Sequence, residues 1–100
     1  MQWNGEAMKK TVTIQIGNSD DKLTQREWSE YVEDVRKIVE GLRGVHFFGA
    51  APTYAPWQNA AWVIECDDEV RVWLKENVTK IRKEYKQDSV AWTEGTTEFI

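Results

Sequence analysis

Thr11-Val12-Thr13-Ile14-Gln15-Ile16-Gly17-Asn18-Ser19-Asp20-Asp21-Lys22-Leu23-Thr24-Gln25-Arg26-Glu27 holds a strand, a break and a helix start in one stretch. Residues 11 to 16 alternate polar with β-branched apolar side chains, the pattern of a strand with one buried face. Gly17 to Asp21 are turn formers and end it. Thr24-Gln25-Arg26-Glu27 is a capping box, in which the threonine hydroxyl accepts a helix amide and the glutamate reaches back to the cap. Trp28, Val32, Val35, Val39 and Leu42 then recur at intervals of four and three, one apolar stripe on an amphipathic helix. Gly41 and Gly44 offer a left-handed stop.

Outward from that stretch, residues 1–10 are polar and without period, and read as a flexible tail before a single domain over 11–100. Val45 to Ala50 is a second strand. Ala51 to Asn59 is a loop, because Pro52 and Pro56 fit neither a central strand nor a helix. Ala60 to Cys66 is a third strand, and Asp67 or Asp68 caps a second helix. The stripe of that helix is Val70, Trp73 or Leu74, Val78 or Asn77, Ile81 and Tyr85. Ser89 to Thr93 is a fourth strand, and Glu94 to Ile100 a short tail. The order βαββαβ predicts an α+β fold, the ferredoxin-like split β-α-β sandwich. It is a four-stranded antiparallel sheet with both helices on one face. Right-handed crossovers set the strand order 4-1-3-2.

Composition narrows the function. The chain has 100 residues, 13 Lys+Arg against 17 Asp+Glu, and a formal charge of -4. That balance argues against non-specific nucleic-acid binding, which needs a basic face. One cysteine excludes an internal disulfide and a cysteine-rich zinc site, and one histidine removes most other transition-metal schemes. No metal or other cofactor is implied. No signal peptide or membrane span is visible, so a cytoplasmic protein away from membranes is expected.

This topology brings the end of strand one, the hairpin between strands two and three, and the start of strand four to one edge of the sheet. On it fall Asn18, Ser19, Asp20, Asp21 and Lys22, then Tyr54, Trp57, Gln58 and Asn59, then Asp88. Loops are polar because they are wet, and Asn18 and Asp20 can serve the turn alone. The hairpin loop is nonetheless longer than a tight hairpin needs. An indole beside two amides can stack on a flat ring and read its edge, and Lys22 near a helix N-terminus suits an anion. These ten residues are the candidate ligand site.

Catalytic groupings are weaker, and no catalytic residue is assigned. Asp20 and Asp21 could hold Mg²⁺ for phosphate-ester chemistry, but adjacent loop residues rarely face one ion together. Ser19 and His46 fall at opposite edges of the sheet. In a symmetric hairpin Cys66 is a diagonal neighbour of His46, a possible thiolate–imidazole pair without a third orienting group.

The sheet face away from the helices is expected to carry His46, Phe48, Trp62 and Ile64. Six tryptophans exceed what a small core easily hides. An apolar patch of this kind marks an interface, most simply that of a homodimer.

Ile16 to Gln25 with Trp28, Pro56 to Asn59, Tyr85 to Trp92 and Thr96 to Ile100 resemble segments of small uncharacterised proteins from actinobacteria and their phages or plasmids. The resemblance covers most of residues 11–100. It implies a bacterial or mobile-element context and carries over no catalytic residue. The expected function is a non-catalytic module binding a small planar or nucleotide-like ligand. The alternative is an interaction module that dimerises through its open sheet and blocks or bridges a partner.

Overall fold

The computed structural model describes residues 9–18, 22–51 and 58–100. The elements are β1 (Lys10–Gly17), α1 (Gln25–Glu40), β2 (Val45–Ala50), β3 (Asn59–Cys66), α2 (Asp68–Glu84) and β4 (Ala91–Gly95). They form one sheet in the order β2-β3-β1-β4, with every neighbouring pair antiparallel. This is the expected ferredoxin-like arrangement.

Pairing between β1 and β3 sets Val12 opposite Ile64, Ile14 opposite Trp62 and Ile16 opposite Ala60. Opposed residues share a face. All six are buried with Trp28, Tyr31, Val35 and Val39 of α1 and Leu74 and Val78 of α2. The helices therefore cover one side of the sheet, and Thr11, Thr13, Gln15, Ala61, Val63 and Glu65 belong to the other.

Local sequence starts and stops the helices as its chemistry dictates. Thr24 Oγ1 accepts from the Glu27 amide at 3.1 Å, and Glu27 Oε1 accepts from the Thr24 amide at 2.9 Å. Asp67 caps α2 by accepting from the Val70 amide at 2.9 Å. Gly41 stays right-handed, and Gly44 is the left-handed residue, with φ of 90°. A Cβ on Gly44 would sit 2.7 Å from the Glu65 carbonyl oxygen, so both its conformation and its crowding favour glycine.

Two expectations about the open face are corrected. Trp62 and Ile64 are fully buried beneath the helices, so neither can meet a partner there. Phe48 also turns to the helix side. It stands opposite Trp62 with ring centroids 5.1 Å apart, and the Arg36 guanidinium of α1 lies 5.7 Å from its ring centre. The cause is a bulge between Val45 and Phe47. Strict alternation from an inward Val45 would put Phe47 inside. The extra residue, His46, reverses the parity, so Val45 and Phe48 face the helices and Phe47 faces out. The core has room for Trp62 because Trp73 remains 44% exposed on α2, where Leu74 takes the buried position instead.

The fourth strand begins at Ala91, two positions later than the pattern of Ser89 to Thr93 suggests. Its ladder with β1 starts at Ala91 opposite Gln15. Upstream, Arg82 Nη1 donates to the carbonyls of Gln87 at 2.8 Å and Asp88 at 3.1 Å. Those carbonyls are therefore held by α2 before the chain reaches the sheet.

Candidate functional site

At the edge where β1 ends and β3 begins, Asn18 is the hub. It is buried, with 3% of its surface exposed. Its Oδ1 accepts from the Leu23 amide at 3.0 Å, and its Nδ2 donates to the Leu23 carbonyl at 3.0 Å and to Gln58 Oε1 at 2.7 Å. The Asn18 amide also donates to the Gln58 carbonyl at 2.9 Å. Gln58 Nε2 then donates to Gln25 Oε1 at 2.7 Å. An asparagine suits this place because its side chain offers donor and acceptor together, as a chain reversal requires. The result ties the end of β1, the first turn of α1 and the start of β3 into one rim.

The segment before β4 joins the same rim. Lys22 Nζ lies 3.8 Å from Asp88 Oδ2. Lys86 takes the left-handed conformation, with φ of 56°, as the chain leaves α2. Gln87 is buried and donates through Nε2 to the Tyr85 carbonyl at 3.1 Å. Of the candidate ligand residues, Asn18, Lys22, Gln58, Asn59 and Asp88 thus lie along this edge. Asn59 is the first residue of β3, and its carbonyl accepts from the Ala51 amide at 2.9 Å. Ser19, Asp20, Asp21, Tyr54 and Trp57 lie outside the described residues.

Electrostatics decide what this edge can receive. The Thr24 amide, and after it the Thr24 hydroxyl, hold the Glu27 carboxyl below its usual range, with Lys86 adding a smaller effect. The N-terminus of α1 therefore already has a carboxylate of its own. An incoming phosphate would address Lys22 and compete with Asp88. A ligand rich in donors would address Asp88. The amides of Asn18 and Gln58 are largely used on one another and on Leu23 and Gln25, so their first role is to hold the rim in shape.

The Cys66–His46 pairing is not formed. Cys66 is buried on the helix side, and its burial there pushes the thiol up, favouring the unreactive protonated form. His46 belongs to the bulge, and its Nε2 lies 3.8 Å from Glu65 Oε1 on the opposite side of the sheet. Even-numbered β3 residues face the helices and odd-numbered ones do not, which separates the two groups.

Two features went unrecognised in the sequence. The first is a cleft of about 390 Å³ beside α2 and β4, lined by Asp68, Arg71, Val72, Lys75, Glu76 and Glu94. Glu94 accepts from the Trp92 indole at 2.7 Å, and its carboxyl lies below the usual range through that bond and then through Arg71, Lys75 and Lys10. Lys75 sits 5.0 Å from the Trp92 ring centre. The i, i+4 spacing of Arg71 and Lys75 was a visible signal, but reading Glu94 as tail hid their partner. The second is Tyr31, fully buried and stacked on Tyr85 with centroids 4.9 Å apart. Tyr85 donates its hydroxyl to Asp34 Oδ2 at 2.6 Å and so clasps the helices together.

No helix among the described residues is long and apolar enough to cross a membrane. No family model matches this chain, and no curated protein matches it in sequence. Among solved structures it is similar to a dimeric ferredoxin-like protein of unknown function from Thermobifida fusca. The identity is 12%, the TM-score is 0.57, and the match covers 89% of this chain and 92% of that one. Such a likeness shows the fold, and the fold is ferredoxin-like.

Proposed function

We propose that this chain is a non-catalytic binding module that takes a small planar or nucleotide-like ligand at the loop edge. The observation that supports it is the fastening of three distant segments into one rim, through Asn18 to Gln58 at 2.7 Å and Lys22 to Asp88 at 3.8 Å. A rim held by its own hydrogen bonds is ordered before a ligand arrives, which lowers the entropic cost of binding. Lys22 supplies the charge that a phosphate would use. Asn59, with Ser19, Tyr54 and Trp57 from the neighbouring stretches of sequence, supplies polar and aromatic groups. Asp20 and Asp21 belong to the same stretch, and magnesium-dependent phosphoester cleavage through them is the remote variant of this reading. A bacterial phage or plasmid setting agrees with the resemblance of its sequence segments.

The test is titration of the full chain with nucleoside mono-, di- and triphosphates, read by calorimetry and by tryptophan fluorescence. Saturable binding that weakens in Lys22→Ala, with a fluorescence change lost in Trp57→Ala, is the expected result. Heat without saturation, or a response identical in both variants, removes the reading.

A second reading is an interaction module that forms a homodimer through the open sheet face. It is favoured by Phe47, which the bulge turns outward, and by the dimeric state named for the Thermobifida fusca structure. Mating sheet faces would leave the loop edge outside the interface, so the two readings are compatible. Sedimentation velocity across a hundredfold range of concentration decides it: a mass that stays monomeric throughout removes the dimer.

A further inference from the structure

The last residues of the chain do not trail away from the sheet. Beyond β4, Thr97 Oγ1 hydrogen-bonds Thr11 Oγ1 of β1, and the Phe99 ring stands 6.4 Å from the His46 ring of β2. Between Gly95 and Phe99 the chain therefore crosses from β4 past β1 and β3 to β2, over the face that the helices leave bare. Phe99 is nevertheless 80% exposed and Ile100 is fully exposed. Phe47, 54% exposed, lies on that same face. Its ring rests over Gly49, where a Cβ would come within 2.6 Å of Phe47 Cζ. The absence of a side chain at Gly49 lets this ring lie down on the sheet rather than stand up from it.

Charge selects what can cover such a surface. The chain carries -4 overall, so two copies repel at long range and approach best where charge is sparse. The strand positions of the open face include Thr11, Thr13 and Thr93 beside Ala61, Val63 and Phe47. The ionisable groups of the strands there, His46 and Glu65, lie 3.8 Å apart, and the crossing segment brings Glu98. A face that mixes hydroxyl and small apolar groups and carries little charge fits its own two-fold copy, because a two-fold interface sets the same patch against itself.

We infer that Thr96–Ile100 is a reciprocal arm, which in a pair of copies mated through their open faces packs Phe99 and Ile100 against the Phe47 side of the second copy. The inference rests on the dimer reading above and adds the segment that holds it. Thr97 on Thr11 sets the direction of the arm, and Phe99 and Ile100 are its contact groups. Phe47, flat on the sheet, is the surface they meet.

The test uses the full chain and the double variant Phe99→Ser with Ile100→Ser, with Phe47→Ser beside it. Each is checked by circular dichroism and then measured by sedimentation equilibrium. These side chains are exposed, so all three proteins are expected to fold. The wild type should dimerise, and each variant should weaken the dimer by about tenfold or more, the effect of removing large apolar groups from an interface. A wild-type dimer with unchanged affinity in the Phe99/Ile100 variant overturns the arm and leaves the dimer standing. A wild type that is monomeric at every concentration overturns both.

Discussion

Asn18 Nδ2 donates to Gln58 Oε1 at 2.7 Å, joining the end of β1 to the start of β3 across a sequence separation of 40 residues. The same carboxamide closes the Leu23 turn from both sides, so one buried side chain holds the strand end, the helix entry and the rim. Asn18→Ala leaves the Leu23 amide and carbonyl without their partner. The expected loss is about 1–3 kcal/mol, the range for buried polar groups left unsatisfied. Urea denaturation reads it as a lower midpoint at unchanged slope. A midpoint equal to wild type would show that water replaces the carboxamide without cost.

Tyr31 presents the opposite case. Among the described residues its buried hydroxyl has no hydrogen-bond partner. Tyr31→Phe keeps the stacking on Tyr85 and removes that hydroxyl, so it should leave stability unchanged or raise it by up to about 2 kcal/mol. Burial also pushes the Tyr31 pKa up to about 12, against a smaller opposing effect of Arg82. A group raised in the folded state contributes stability that is complete below its unfolded value of 10.0 and is lost as pH climbs through about 12. The alkaline decline in melting temperature should therefore be shallower in Tyr31→Phe than in wild type.

At the other end of the pH scale the capping box contributes, beside the similarly depressed Glu94. Glu27 is held below the usual carboxylate range by the Thr24 amide and hydroxyl. A depressed carboxyl contributes stability that is present above the unfolded value, about 4.3 for glutamate, and is lost as pH falls through the folded value. Glu27→Gln can keep the bond to the Thr24 amide without the charge, so its acid limb should be flatter than wild type. Thr24→Ala should cost about 1 kcal/mol at neutral pH. Thermal melts in a pH series measure both.

The tryptophans separate by face. Trp62→Ala empties the centre of the core and should cost about 3–5 kcal/mol. Trp73→Ala acts on a side chain 44% exposed, and should change stability by less than about 1 kcal/mol. Had Trp62 been the surface residue and Trp73 the core one, the order would reverse, and denaturation of the two variants decides it.

Much of this architecture was legible in local chemistry. The alternation from Thr11 to Ile16, the capping box at Thr24 and the cap at Asp67 or Asp68 are short-range patterns, and each formed where its pattern stood, with Asp67 as the cap. The order of those elements led to the sheet order and the helices on one side, because right-handed crossovers leave few alternatives. The rim followed from that topology: strand directions bring residues near 18, 58 and 88 to one edge whatever their side chains do.

What local pattern could not reach was parity and partnership. Val45-His46-Phe47-Phe48 fits a strand in either phase, and only pairing against β3, itself held by β1, reveals the extra residue at His46. That one residue moved Phe47 outward and Phe48 inward, and the central ladder drew Trp62 and Ile64 into the core. Trp73 and Leu74 were equally apolar neighbours on a helix, and the packing of α2 on the sheet chose between them. Gln58 and Asn59 beside Trp57 read as a pair of amides for a ring edge and Asn18 as a polar contact, yet the closed turn consumes most of the hydrogen bonds of Asn18 and Gln58. Sequence determined the elements and their order because those depend on short-range backbone and capping energies. Tertiary structure decided which faces are buried and which polar groups are spent, because those depend on partners tens of residues away.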